Sequence, residues 1–64
     1  MFTLNIATDN AAFEDSRADE IARILRRLAD ELANRSIELY ADCHEHGSLF
    51  DQNGNKVGRW EYHE

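Results

Sequence analysis

The stretch SRADEIARILRRLADELA, residues Ser16–Ala33, decides the fold of this chain. Ser16 can cap the first turn of a helix, and Asn34 can end it in the left-handed conformation. An isolated helix of this length is marginal in water, so an apolar face on it needs a partner surface from the flanking segments. The residues that recur at three- and four-residue steps, and so form that face, are Ala18, Ile21, Ala22, Leu25, Leu28, Ala29 and Leu32.

The flanking segments alternate with a period of two, which is typical of half-buried strands. Phe2–Thr8 places Phe2, Leu4 and Ile6 on one face. Ser36–His44 alternates again and predicts a second strand with one buried and one solvated face. Between the first strand and the helix, Phe13 is expected to pack under the helix.

A hairpin is predicted near the C-terminus. Gly47 is expected to end the second strand, Ser48–Asp51 to form a short third strand, and Asn55–Tyr62 to form the last one. Asp51-Gln52-Asn53-Gly54 has the residues of a three-residue loop, which would pair Asp51 with Asn55 and Leu49 with Val57. A two-residue loop would pair Phe50 with Val57 instead, and the sequence leaves both registers open.

The element order is therefore β-α-β-β-β. We expect one α+β domain over residues 1–64, with one helix packed on one face of a small antiparallel sheet. A single helix covers only one side of such a sheet, so some of the aromatic side chains should lie on the open side or at its rim, where they would form a recognition patch, or else complete a thin core. These are Tyr40, Phe50, Trp60 and Tyr62.

Composition excludes several classes of protein. A chain of 64 residues has room for one small core. Its single cysteine, Cys43, rules out an internal disulfide and fits a reducing compartment. No apolar run approaches the roughly 20 residues that span a bilayer, and the N-terminus lacks the pattern of a signal peptide. We expect a cytoplasmic location.

The net charge of −6 disfavours nucleic acid and anionic membranes as ligands and favours a basic protein surface. Within Ser16–Ala33 four acids balance four arginines, and the spacing allows Asp19–Arg23, Arg26–Asp30 and Arg27–Glu31 pairs. The excess negative charge lies in two blocks, one before the helix and one in residues 34–64.

No constellation of residues indicates catalysis. Cys43-His44-Glu45-His46, with His63 elsewhere in the chain, could suggest zinc but lacks the second close-spaced ligand pair of a structural site. Cys43 and His44 point to opposite faces of a strand, which disfavours a Cys–His nucleophile. The Asp51–Asn55 stretch has its glycine at the wrong place for a calcium loop. We therefore expect no enzyme activity, no metal and no cofactor.

Three stretches resemble a group of small proteins encoded by bacteriophages and prophages. They are FTLNIATDNAAFED (Phe2–Asp15), EIARILRRLADEL (Glu20–Leu32) and LFDQNGNKVG (Leu49–Gly58). Some members of this group are similar to anti-CRISPR proteins, and this chain resembles those directed at type I-C systems. Ser36–His46 is longer and more acidic than in the group.

The resemblance implies a monomeric inhibitor in the host bacterial cytoplasm. Its acidic side chains would occupy the basic DNA-binding surface of a type I CRISPR complex, in the large subunit, and exclude target DNA. The alternative is a phage accessory or regulatory protein that acts through self-association or another protein partner. The residues expected to bind the partner are Glu14, Asp15, Asp19, Glu20, Glu38, Tyr40, Asp42, Glu45 and Trp60.

Overall fold

The computed structural model of the chain describes residues 1–34 and 44–63. In chain order they form strand β1 (Phe2–Ile6), a short 3-10 helix (Ala11–Phe13), helix α1 (Arg17–Asn34), strand β2 (His44–Phe50) and strand β3 (Lys56–His63). The described strands make one antiparallel sheet in the order β1-β3-β2. The predicted α+β class is confirmed. The strand predicted over Ser36–His44 lies outside the described residues except for His44, which begins β2.

The register of the sheet separates the strand residues into two faces, because directly paired residues point to the same side. Leu4 pairs with Trp60 and Gly47 also pairs with Trp60, so these three share the face that packs against α1. The other face, called the open face below, is polar; it carries Thr3, Asn5, His44, His46, Ser48, Arg59, Glu61 and His63.

The core lies between α1 and the sheet. Ile24 and Leu28 of the helix pack with Leu49 and Trp60 of the sheet. Phe13 is 1% exposed, which confirms that it packs under the helix. The predicted apolar face is wrong in one respect, since Leu25 is 44% exposed whereas Ile24, one position earlier, is buried. The buried face of α1 is therefore turned by about one residue, or roughly 100°.

Gly47 does not end a strand, contrary to the prediction. It lies inside β2, directly opposite Trp60. A Cβ atom at this position would lie 2.4 Å from the indole Nε1 of Trp60, closer than any side chain tolerates. Glycine is present because the flat indole ring needs the space above the β2 backbone.

The turn of the hairpin is the predicted three-residue loop. Asp51 N–H donates to the Asn55 carbonyl at 2.9 Å, Gly54 N–H donates to the Asp51 carbonyl at 3.0 Å, and Gly54 has φ +85°. Beyond the turn the register shifts, and Leu49 pairs with Gly58 rather than with Val57. The shift is a β-bulge, in which β3 contains one extra residue, and beyond it the pairing is that of the two-residue register, which places Leu49 opposite Gly58.

Candidate binding surface

Four exposed carboxylates surround the start of α1. Asp9 precedes the 3-10 helix, Glu14 and Asp15 follow it, and Asp19 lies in the first turn of α1. The buried side chains of Ala12 and Phe13 anchor the segment between them, so the flanking acids face solvent. We call Asp9, Glu14, Asp15 and Asp19 the acidic turn.

The carboxylates of the acidic turn have no ion-pair partner in the part of the chain that the structure describes. The ion pairs of arginine found there are Arg23–Glu20 and Arg27–Glu31, and His44 contacts Glu61. Arg17, the cation within the same stretch, directs its Nε to the Thr8 carbonyl at 3.4 Å. Among the described residues, the acidic turn is therefore a negatively charged surface without an ion pair.

Glu20 does not belong to that surface, although the sequence predicted an exposed carboxylate there. It is 5% exposed and accepts hydrogen bonds from Arg23 Nε at 2.8 Å, from Arg23 Nη2 at 2.9 Å and from Gln52 N–H at 2.9 Å. The bonds from Arg23 hold the pKa of Glu20 below its ordinary value, against the opposing effect of burial. Arg23 thus pairs with Glu20 instead of the predicted Asp19, and Glu20 joins α1 to the hairpin.

Trp60 was also predicted to contact a partner, but it is buried. It is 3% exposed, and its ring stacks on Phe2 with 5.7 Å between the ring centres. The interpretation of Trp60 as part of the core is correct, and its prediction as an anchor for a partner is wrong. Among the described members of the aromatic set considered for the open side, Phe50 is the exposed one, at 51%.

The remaining predicted contacts follow α1 in the sequence. Glu45 is exposed in this strand. Glu38, Tyr40 and Asp42 lie outside the described residues. The predicted partner-binding acids that are exposed in the structure are therefore Glu14, Asp15, Asp19 and Glu45.

A buried carboxylate of the hairpin explains the asparagines around it. Asp51 is 4% exposed, and its Oδ1 accepts from the N–H groups of Asn53 and Asn55, both at 2.9 Å. Its Oδ2 accepts from Asn10 Nδ2 at 2.8 Å. Burial opposes ionisation of Asp51, but these donors outweigh it, and the pKa lies below the ordinary value. These bonds give Asp51 a structural part in the hairpin.

Three histidines that the sequence did not bring together form a cluster at one end of the open face. The register places His63 directly opposite His44, and Glu61 directly opposite His46. His44 Nε2 lies 3.0 Å from Glu61 Oε2, and this hydrogen bond lowers the pKa of Glu61. The signal in the sequence was His44-x-His46, whose two side chains share a face, but His63 joins them only through the strand register.

A groove of about 390 Å³ separates α1 from β2. Its walls include Leu28, Trp60 and Phe50, with Arg27 and Glu31 at the helix side. The acidic turn lies outside it, so the groove and the charged surface are separate features.

No described helix is both long and apolar enough to cross a membrane. A search of protein-family models, of curated proteins and of solved structures finds no match to this chain.

Proposed function

We propose that this chain is an anti-CRISPR inhibitor that binds the basic DNA-binding surface of a type I CRISPR complex in the bacterial cytoplasm and excludes target DNA. Two things support the proposal. The first is the resemblance of its TDNAAF and D-x-NGN-x-VG stretches to phage-encoded proteins. The second is the position of its free negative charge.

The observation that carries the proposal is the contrast between the two parts of α1. Along the helix, Glu20 and Glu31 are matched by Arg23 and Arg27. At its start, the acidic turn is exposed and has no such partner among the described residues. The net negative charge of residues 1–33 therefore lies at the start of the helix, where it can replace phosphate groups in a lysine- and arginine-lined groove.

Charge of this kind acts mainly on the rate and the salt dependence of association. Exposed charges attract an oppositely charged groove over about 10 Å at 0.1 M salt and over less at higher salt. Binding should therefore be fast at low ionic strength and weaken steeply as salt is added. Glu45, together with Glu38, Tyr40 and Asp42 from the sequence prediction, would extend the contact beyond the acidic turn.

The test uses charge reversals that are matched in size. Glu14→Lys and Asp15→Lys each change the net charge by the same amount as Asp30→Lys, an exposed acid near the other end of α1. Each reversal in the acidic turn should weaken binding to the purified CRISPR complex by about tenfold or more at low salt, because a lysine would face a basic groove. The double variant should lose inhibition of target DNA binding.

Two measurements decide the outcome. Binding is measured at low and high ionic strength, and thermal melting shows that each variant is folded, since exposed charges contribute little to stability. The control Asp30→Lys should bind almost as wild type. If the double variant inhibits as well as wild type, or if binding ignores salt, then the acidic turn does not imitate DNA.

A phage accessory protein that self-associates is the second candidate. Within the described residues β1 pairs with β3 alone and so presents an open edge, and Phe50 and Leu25 are exposed apolar side chains. An open strand edge is a ready template for pairing with another chain. Sedimentation velocity over a range of concentrations separates the two functions, because a dimer that forms independently of salt favours this candidate.

A further inference from the structure

The histidine cluster gathers four metal-ligating side chains on the open face. His44 and His46 are two residues apart in β2, so both point to the same side of the sheet. The paired strand β3 supplies His63 opposite His44 and Glu61 opposite His46. Three imidazoles and one carboxylate therefore occupy adjacent corners of a small patch.

The distances within this patch fit a shared metal ion. The ring centres of His44 and His63 are 5.6 Å apart, and those of His44 and His46 are 6.4 Å apart. Zinc lies about 2.1 Å from a ligating nitrogen, which places it about 3.2 Å from each ring centre. Two imidazoles at a tetrahedral angle then have centres about 5.2 Å apart. The observed separations exceed this value by about 0.4 and 1.2 Å, so the His44 ring already lies near the required spacing from each of the other two rings.

The histidine side chains must still rotate before they can share one ion. As the side chains stand, no three His, Cys, Asp or Glu groups in residues 1–34 and 44–63 are gathered around a single ion position. The His44 side chain is 60% exposed, and His46 and His63 are exposed as well. Exposed rings turn about χ1 and χ2 on a fast time scale without disturbing the core. Rotation leaves the backbone register unchanged, and that register already places the three histidines at neighbouring positions on one face.

We propose that His44, His46 and His63 bind a divalent transition-metal ion of the zinc class on the open face. Imidazole nitrogen suits zinc, copper and nickel, whereas calcium and magnesium prefer oxygen ligands. Glu61 is a positioning residue that accepts a hydrogen bond from one nitrogen of His44, so the other nitrogen is left for the metal. A carboxylate in this position orients a ligating histidine and increases its basicity.

The ion would join β2 to β3 at the end of the hairpin remote from the turn. Because the metal binds the folded state, it should raise the melting temperature by mass action. At 100 times its dissociation constant, an ion should raise the melting temperature of a domain of this size by roughly 10–20 °C. This site lies on a different face from the core and does not depend on the acidic turn.

The experiment titrates the purified chain with zinc chloride. The melting temperature is recorded at each concentration, and NMR spectra that correlate ring nitrogens with ring protons follow all three histidines. We expect a rise in melting temperature and shifts at one nitrogen of each ring. Cys43→Ser serves as the matched control, because it removes the thiol that could bind zinc by itself while leaving the histidine cluster intact.

Two variants test the assignment of roles. His63→Gln should weaken zinc binding by at least about tenfold, since even changes beyond the ligands cost 10–100-fold. Glu61→Gln should weaken it less and still shift all three rings. The melting temperature without zinc shows whether each variant is folded; should His63→Gln fail to fold, His46→Gln replaces it. The proposal is overturned if fewer than three rings shift in the wild type, or if zinc binding disappears in Cys43→Ser.

Discussion

At the scale of single residues, the hairpin depends on a carboxylate that has almost no access to solvent. Asp51 accepts hydrogen bonds from backbone groups of its own turn and from the side chain of Asn10. Asn10 also caps the 3-10 helix, because its Oδ1 accepts from Ala12 N–H at 3.0 Å. The TDNAAF and D-x-NGN stretches therefore meet in space through the Asn10–Asp51 bond.

Replacement of Asn10 by alanine tests this connection. Asn10→Ala removes a cap and one donor to the buried Asp51, so it should lower the free energy of unfolding by about 1–2 kcal/mol. The matched control is Asn53→Ala, an asparagine of the turn whose side chain is exposed, with an expected change within about 0.5 kcal/mol. Urea unfolding of the three proteins gives the comparison. Equal stability of the two variants would show that the Asn10 side chain contributes nothing beyond an exposed asparagine.

At the scale of elements, the rotation of α1 follows from one ion pair and one aromatic residue. Arg23 bridges Glu20 and the Phe50 carbonyl, the latter at 3.2 Å, and Glu20 reaches Gln52 N–H. These bonds bring the Glu20 side of the helix onto the end of β2. Ile24 and Leu28 then face Trp60 and Leu49, while Leu25 turns to solvent.

Two leucine-to-alanine substitutions in α1 test which face of the helix is buried. Leu28 is 5% exposed, so Leu28→Ala should cost about 2–5 kcal/mol, a large part of the stability of so small a domain. Leu25→Ala removes the same atoms from an exposed position and should cost less than about 1 kcal/mol. Chemical denaturation followed by Trp60 fluorescence reports both values. Large and similar losses for both variants would mean that the helix buries the face predicted from periodicity, which contains both leucines.

At the scale of the whole molecule, some acidic side chains stabilise the fold and others are exposed on the surface. Glu20 and Asp51 are buried and satisfied, whereas the acidic turn faces solvent. Total charge therefore overstates the surface available for a partner. It also means that acid should act on the fold itself through the buried pair of carboxylates.

The dependence of stability on pH follows from their shifted pKa values. The ordinary values are 4.5 for Glu20 and 3.8 for Asp51, and the folded-state pKa of each is lower. A depressed pKa stabilises the fold fully above the ordinary value, and this stabilisation is lost as the pH falls through it toward the folded-state value. The melting temperature should therefore be nearly constant from pH 7 to about pH 5 and fall below about pH 4.5.

Glu20→Gln provides the control for this prediction. Glutamine keeps the shape of the side chain but does not ionise, so the variant should be less stable than wild type at pH 7 and approach it at pH 3. Circular-dichroism melts at four or more pH values give both curves. Parallel curves would show that Glu20 has the same pKa in the folded and unfolded chains, contrary to the hydrogen bonds from Arg23 and Gln52.

Local patterns in the sequence determined the kinds of elements, because they reflect interactions between near neighbours. The three- and four-residue steps of Ser16–Ala33 predict α1, the alternation after Phe2 predicts β1, and Asp51–Gly54 predicts the turn. Phe13 was recognised as a core residue for the same reason. The α+β class follows from these elements, since a single amphipathic helix must cover the apolar face of a sheet.

The tertiary structure alone decided the strand register, the rotation of α1 and the burial of Trp60 and Glu20. The bulge that pairs Leu49 with Gly58 arises where β3 meets both neighbours, and a Cβ atom at Gly58 would lie 1.8 Å from the Asn5 carbonyl oxygen of β1. Such contacts join residues that are far apart in the chain. Their free energies therefore depend on how whole elements pack, which a pattern of neighbouring residues does not show. The same register places His63 opposite His44, an arrangement that the spacing of the three histidines in the sequence did not predict.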